Sequence, residues 1–234
     1  MSIVTHSQSE LVAALLKSID KYLFTEKHDF SIVVTENNFS KKHYRSKYPI
    51  SFILNLSRKG FGANHNAVFE RIEPDIFIVV NPDILLIERF DLDYLIEVMH
   101  QLKIEVTSPV ILNKRGVIDD YKRADLTIQN MFKRKILKYP ETSFDWYAGM
   151  FLILTNRVYR GICGFDTRFF MYLEDCDFCI RARQNGYKVS DSINTSVQHD
   201  ARRSSSKIFS KHFYWHLSSL IKYWLKTKMQ RASK

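Results

Sequence analysis

The densest gathering of reactive side chains in the sequence is Phe165-Asp166-Thr167-Arg168-Phe169-Phe170-Met171-Tyr172-Leu173-Glu174-Asp175-Cys176-Asp177. Aromatic residues lead the chain to adjacent carboxylates that open a helix. The helix dipole favours acids there, and capping accounts for one of them. A carboxylate held beside apolar rings at the edge of a pocket also suits general-base work. Asp177 and Arg181 lie one helical turn apart and are expected to pair.

A second cluster is Asn81-Pro82-Asp83, at the end of the apolar run Ile76 to Val80. Proline cannot continue a ladder, so the chain turns and Asp83 projects at the sheet's edge. It is either a helix N-cap or a carboxylate for a Mg2+ or Mn2+ ion otherwise held by substrate phosphates. Gly60-Phe61-Gly62-Ala63-Asn64-His65-Asn66 is a glycine-bracketed turn into a helix, a form that lets a phosphate or a flat base approach the backbone. It is neither a P-loop nor the dinucleotide fingerprint. Cys176 and Cys179 form a C-x-x-C inside a helical run with no second pair, so they read as small apolar side chains on one helix face.

The elements that position these residues follow from periodicity. Ser2 to Thr5, Phe30 to Thr35, Ser51 to Leu56 and Asp75 to Val80 are short, β-branched runs expected as buried strands. Glu10 to Tyr22, Gly62 to Ile72 and Leu92 to Leu102 have helical spacing. Strand alternating with helix predicts right-handed crossovers and a doubly wound, mainly parallel α/β sheet. Ligands then sit beyond the carboxyl ends of the strands, at Glu36-Asn37-Asn38, Asn81-Pro82-Asp83 and the turn at Gly60 to Asn66. After Ser108 the pattern loosens, and Asn113 to Thr142 is polar and basic. Trp146 to Leu154 reads as strand, Glu174 to Asn185 as a helix closed by Gly186, and Lys188 to His199 as one or two strands. Lys207 to Arg231 is a last long helix.

The chain has 234 residues, 45% hydrophobic and 26% charged, which excludes a disordered or fibrous protein. Its net charge of +10 is segregated: Ala201 to Lys234 holds nine Lys or Arg and no acid, leaving a near-neutral body. That tail predicts an anionic partner. Three cysteines make no even disulfide framework, and no run approaches the ~20 apolar residues of a membrane span. A reduced, cytosolic setting is expected.

The order of these motifs resembles inverting glycosyltransferases of the GT-A fold, family 2, and within them the bacterial rhamnosyltransferase-like group of O-antigen and related polysaccharide synthesis. The resemblance runs from Ser2-Ile3-Val4-Thr5-His6 through Val34-Thr35-Glu36-Asn37, Gly60 to Asn66 and Asn81-Pro82-Asp83. It continues in Asp145-Trp146-Tyr147-Ala148-Gly149, Gly164-Phe165-Asp166, Phe169 to Asp175 and His199. It implies a Rossmann-like nucleotide-diphospho-sugar transferase fold, with residues 1–205 as the catalytic domain. Residues 1–108 would bind the donor, 109–205 the acceptor, and 206–234 would form a separate basic, aromatic helix. Donor contacts would come from Thr5, Glu36, Asn37, Gly62, Asn66, Asn81, Asp83, Arg202 and Arg203. Glu36 stands where the family usually has an Asp. Asp83 alone keeps a carboxylate of the metal-binding D-x-D, with His199 as the further ligand to a divalent cation. Asp175 matches the catalytic base, while Asp145, Trp146 and Glu174 would meet the acceptor.

The implied reaction is a single inverting displacement. The implied donor is a nucleotide-diphosphate sugar, dTDP-L-rhamnose first and a UDP-sugar such as UDP-galactofuranose second. The implied acceptor is a polyprenyl-diphosphate-linked saccharide at the inner face of the cytoplasmic membrane. In the tail, Trp215 and Trp224 among lysines suit a membrane interface. Packing one aromatic face on the domain is the other reading. A basic nucleic-acid-binding protein is the rival class, opposed by the near-neutral body and the lack of a reader motif.

Overall fold

The computed structural model describes residues 1–38, 43–126, 144–190, 194–200 and 211–232. Its centre is a mixed sheet whose described strands are β1 (Ser2–Thr5), β3 (Ile32–Glu36), β4 (Ile50–Leu54), β5 (Ile76–Val80), β8 (Val106–Thr107) and β12 (Phe151–Thr155). The order is β4-β3-β1-β5-β12-β8. The first four run parallel, and β12 lies antiparallel to both β5 and β8. The expected α/β sheet is present, because the β-branched runs of β1, β3 and β5 are buried and fit only a covered sheet. Strand β4, expected as buried, is instead half-exposed because it forms the edge of the sheet. Helices α1 (Ser9–Tyr22), α2 (Phe61–Ile72) and α3 (Leu92–Gln101) alternate with the parallel strands, each within two residues of its expected bounds.

The departures are short elements with non-local partners. Hairpin-sized strands β2 (Leu23–Phe24), β6 (Ile84–Leu86), β7 (Phe90–Asp91), β9 (Val110–Asn113) and β10 (Lys122–Arg123) carry too few residues to show a period. The run Trp146 to Leu154 splits into β11 (Trp146–Tyr147) and β12, because β11 pairs with β10 while β12 joins the central sheet. Helix α4 (Asn156–Gly161) follows, its first turn capped by the Thr155 hydroxyl. Helix α5 (Glu174–Gln184) ends at Asn185, and Gly186 follows with φ 78°. Strand β13 (Ser196–His199) is antiparallel to β6 and parallel to β9. Cys176 and Cys179 lie buried on α5 without a disulfide, and burial pushes the Cys179 thiol up to about 12.

The last helix, α6 (Lys211–Ala232), is not a unit apart. Its inner face joins the core through Leu220 and Tyr223. Tyr223 donates its hydroxyl to Asp125 at 2.5 Å, and the Trp224 indole donates to the Leu126 carbonyl at 3.0 Å. Lys226 reaches under the fold to Asp166 at 2.8 Å and to the buried Asp177. Replacing Lys226 by Met keeps the stem but deletes the charge. Asp166 and Asp177 retain Arg168 and Arg181, so the loss should fall below that of an orphaned buried charge, at about 2 kcal/mol. We expect the melting midpoint to drop by roughly 4–8 °C. An unchanged midpoint in calorimetry would mean that α6 does not dock through this residue.

Candidate active site

The carboxylates at the start of α5 are delivered by a strained turn. Tyr172 (φ 70°) and Leu173 (φ 68°) both sit in the left-handed region, which side chains rarely adopt. Beyond the turn the four acids have separate fates. Asp166 is gripped by Arg168 and Lys226; those bonds outweigh its burial and hold it below the usual carboxylate range. Asp177 pairs with Arg181 at 2.6 Å, as their spacing predicts, and with Lys226. Glu174 is 4% exposed; burial, then the charge of Asp175, push it well above its ordinary value, and its Oε2 has no hydrogen-bond partner. Asp175 Oδ2 accepts the Gly149 N–H at 2.6 Å, and its Oδ1 accepts the Cys176 N–H at 2.8 Å. Burial raises Asp175, while those two N–H groups and the charge of Arg123 pull it part of the way back. Of the four, Asp175 is the carboxylate with neither full enclosure nor an ion-pair partner among the described residues.

A second centre forms where β13 meets β6. Antiparallel register sets His199 opposite Ile84, so its ring reaches Asp83, and Nε2 lies 3.3 Å from Asp83 Oδ2. The other nitrogen, Nδ1, is 2.8 Å from Asp119 Oδ2. Burial pulls His199 down, but its bonds to Asp83 and Asp119 outweigh that and raise it. Asp83 Oδ1 is buried without a hydrogen-bond partner. A partnerless carboxylate oxygen beside an imidazole nitrogen is a donor set that fits a divalent cation. Among the described residues no group of three or more His, Cys, Asp or Glu encloses an ion, so most of its shell would come from a ligand.

At the carboxyl edge of the sheet, Thr5 pairs with Glu36, and both are buried. Glu36 accepts the Tyr44 hydroxyl at 2.7 Å. Asn37 takes the Lys59 N–H at 2.9 Å and donates to the Lys59 carbonyl at 2.8 Å, bracing the turn before α2. Asn81 donates its backbone N–H to Met150 at 2.9 Å, which links the end of β5 to the Gly149 loop.

The glycine-bracketed turn serves packing. A Cβ on Gly62 would meet Phe165 Cβ at 2.6 Å, so glycine is needed for α2 to touch that ring. Asn66 accepts from the Phe165 N–H at 3.0 Å and the Tyr159 hydroxyl at 2.7 Å, and donates to the Phe165 carbonyl at 2.9 Å. His65 lies against the Ser2 hydroxyl, and burial lowers it to about 3. Gly62 and Asn66, expected at the donor, instead clamp α2 to the Phe165 turn.

The acceptor expectations also shift. Trp146 is 1% exposed, with its indole donating to the Ala124 carbonyl at 2.8 Å, so it is a core residue rather than an acceptor platform. Asp145 accepts the Asp125 N–H at 2.8 Å. Glu174 is enclosed and offers no surface to a sugar. Arg202 and Arg203 lie outside the described residues. Sequence reasoning missed Asp119, Gly149 and Arg123, and only the Gly149 sequence neighbourhood had signalled a site.

No family model matches the chain. It is 27% identical to rhamnosyltransferase WbbL of Escherichia coli K12, over 94% of this chain and 90% of that protein. To the low-salt glycan biosynthesis hexosyltransferase Agl10 of Haloferax volcanii it is 23% identical, over 86% and 76%. Its fold matches that of GalNAc-T7, solved with UDP, GalNAc and Mn2+, at TM-score 0.65 and 15% identity. This chain spans 44% of that structure's length and 87% of its own. The chain is a GT-A glycosyltransferase. The likeness in sequence is to a rhamnosyltransferase, as the motif order implied.

For this glycosyltransferase, Asp175→Asn keeps the size of the side chain and one of the two N–H contacts, but cannot accept a proton. Sugar transfer should fall by about two to four orders of magnitude, with little change in donor affinity. Near wild-type transfer would take the base role away from Asp175.

Proposed function

We propose that the protein moves L-rhamnose, with inversion, from dTDP-L-rhamnose to a saccharide carried on a polyprenyl diphosphate, in cell-surface polysaccharide synthesis. The observation that carries this reading is the state of Asp175: held by two N–H groups, raised by burial, and free of the ion pairs that occupy Asp166 and Asp177. The similarity to a rhamnosyltransferase over nearly the whole chain supports the sugar.

In the proposed reaction Asp175 takes the proton of an acceptor hydroxyl as that oxygen attacks the anomeric carbon. The bond to the diphosphate breaks on the opposite face, and its electron pair leaves on the phosphate oxygen. Asn81, half-buried at the carboxyl edge of the sheet, would meet the nucleotide, while Thr5, Glu36 and Asn37 are buried and would support that edge from within. Asp83 and His199 would hold a divalent cation with the donor's own phosphates. When bound, that ion supplies positive charge for the leaving diphosphate.

The test is thermal stabilisation by a panel of nucleotide sugars with and without Mn2+. We expect dTDP-L-rhamnose with Mn2+ to raise the midpoint most. A larger response to a UDP-sugar such as UDP-galactofuranose would transfer the proposal to that donor, and no response to any would remove it.

The acceptor places the enzyme at the inner face of the membrane, and α6 supplies the contact. None of the described helices is long and apolar enough to cross a bilayer. Trp224 is engaged with the domain and Trp215 packs on Phe170 with ring centroids 5.1 Å apart, so these aromatic residues are turned inward. The outer face carries Leu217, Ile221 and Leu225, each more than two-fifths exposed, beside the exposed Lys222 and Lys228. An apolar stripe flanked by lysines suits an anionic lipid surface. Replacing Leu217, Ile221 and Leu225 together by Glu should abolish sedimentation with phosphatidylglycerol vesicles at low salt and leave the melting midpoint within about 2 °C. Retained sedimentation would exclude this face.

A further inference from the structure

We infer that Asp119 is a positioning residue: it fixes which nitrogen of His199 carries the proton, and so turns the bare Nε2 towards Asp83. This rests on the proposed use of a divalent cation at Asp83 and His199, and deepens it.

The argument begins with donors and acceptors. An ionised carboxylate only accepts, so the 2.8 Å contact between Asp119 Oδ2 and His199 Nδ1 requires a proton on Nδ1. A neutral ring then has its lone pair on Nε2, which faces Asp83 Oδ2 at 3.3 Å. Two lone pairs facing each other repel unless a cation lies with them. The opposite tautomer would set the Nδ1 lone pair against Asp119 at the shorter distance, which is worse. Asp119 therefore keeps the ring proton on Nδ1 and leaves Nε2 free for a cation held with Asp83.

Asp119 is built to hold this position. Its Oδ1 accepts the Asp120 N–H at 2.8 Å, which leaves Oδ2 for the ring. Its own N–H donates to the Ile111 carbonyl at 2.8 Å, in a hairpin closed by the bridge between Leu112 and Ile118. Strand β9 of that hairpin pairs with β13, so Asp119 and His199 are set by one small sheet. The imidazole lies between Asp119 and Asp83, which makes Asp119 a partner of the ring rather than a fellow ligand. Carboxylates behind metal-bound histidines typically contribute about 10–100-fold in metal affinity.

The experiment uses the full chain and Asp119→Asn, whose oxygen keeps the Asp120 N–H and whose NH2 then faces Nδ1 and favours the opposite tautomer. Mn2+ binding in the presence of dTDP or UDP is measured by electron paramagnetic resonance of the free ion. Ring nitrogens are followed by NMR of 15N-histidine protein with Mg2+, with His199 assigned from the His199→Gln spectrum. The expected result is Mn2+ binding weakened about 10–100-fold, nucleotide binding without metal unchanged, and loss of the single Nδ1–H signature. Asp119→Glu, which keeps the carboxylate, should restore most of the affinity and the signature. Mn2+ affinity within two-fold of wild type, or an Nε2–H ring in the wild-type complex, overturns the inference. Nucleotide binding that gains nothing from Mn2+ overturns it alone and leaves the transferase reading standing, whereas a wild-type protein that binds no nucleotide overturns both.

Discussion

The proposed catalytic arrangement depends on a stretch of backbone that would not hold its shape alone. Tyr172 and Leu173 are consecutive left-handed residues, a conformation costing about 1–2 kcal/mol each for side chains of their kind. What holds them is contact from both sides. The Phe61 N–H donates to the Phe170 carbonyl at 2.8 Å from the start of α2. From α6 the Ser219 hydroxyl donates to the Met171 carbonyl at 2.8 Å, with Trp215 against Phe170 and His216 against Tyr172. The turn exists because the first and last thirds of the chain close on it. Its product is an α5 whose first turn points Asp175 at the Gly149 N–H.

Charge is then distributed so that one acid stays available. Lys226, Arg168 and Arg181 neutralise Asp166 and Asp177, and burial raises Glu174 well above its ordinary value. A basic C-terminal segment thus serves the interior as well as the surface. Its lysines are not equivalent: Lys226 is half-buried against two acids, while Lys228 is exposed. The same helix binds the domain with one face and leaves Leu217, Ile221 and Leu225 exposed on the other.

Much of this was legible in the sequence, and the failures share a cause. Long apolar runs such as Ile32 to Glu36 and the periodic helix Ser9–Tyr22 announce themselves, because burial on a sheet or stripe imposes a repeat. Motif order singles out Asp83 and His199, which the fold brings within 3.3 Å, and Asp175, which it sets at the start of α5. Asp119 was invisible: it is one acid in a polar stretch, and its partner lies 80 residues away across a four-residue strand. Gly62, Asn66 and Trp146 were misplaced because a glycine turn or a tryptophan looks the same whether it faces a ligand or a neighbouring ring. Only packing separates those cases, and packing is non-local.

The central claim is that a single carboxylate, Asp175, drives one displacement. The stereochemistry of transfer tests it most directly. With dTDP-β-L-rhamnose, or whichever donor stabilises the protein, the anomeric proton and carbon of the first product formed can be followed by NMR before any rearrangement. One displacement predicts a product of opposite anomeric configuration to the donor. A product with the donor's configuration would require two displacements or a front-face path, and would contradict the assignment of Asp175 as a lone base.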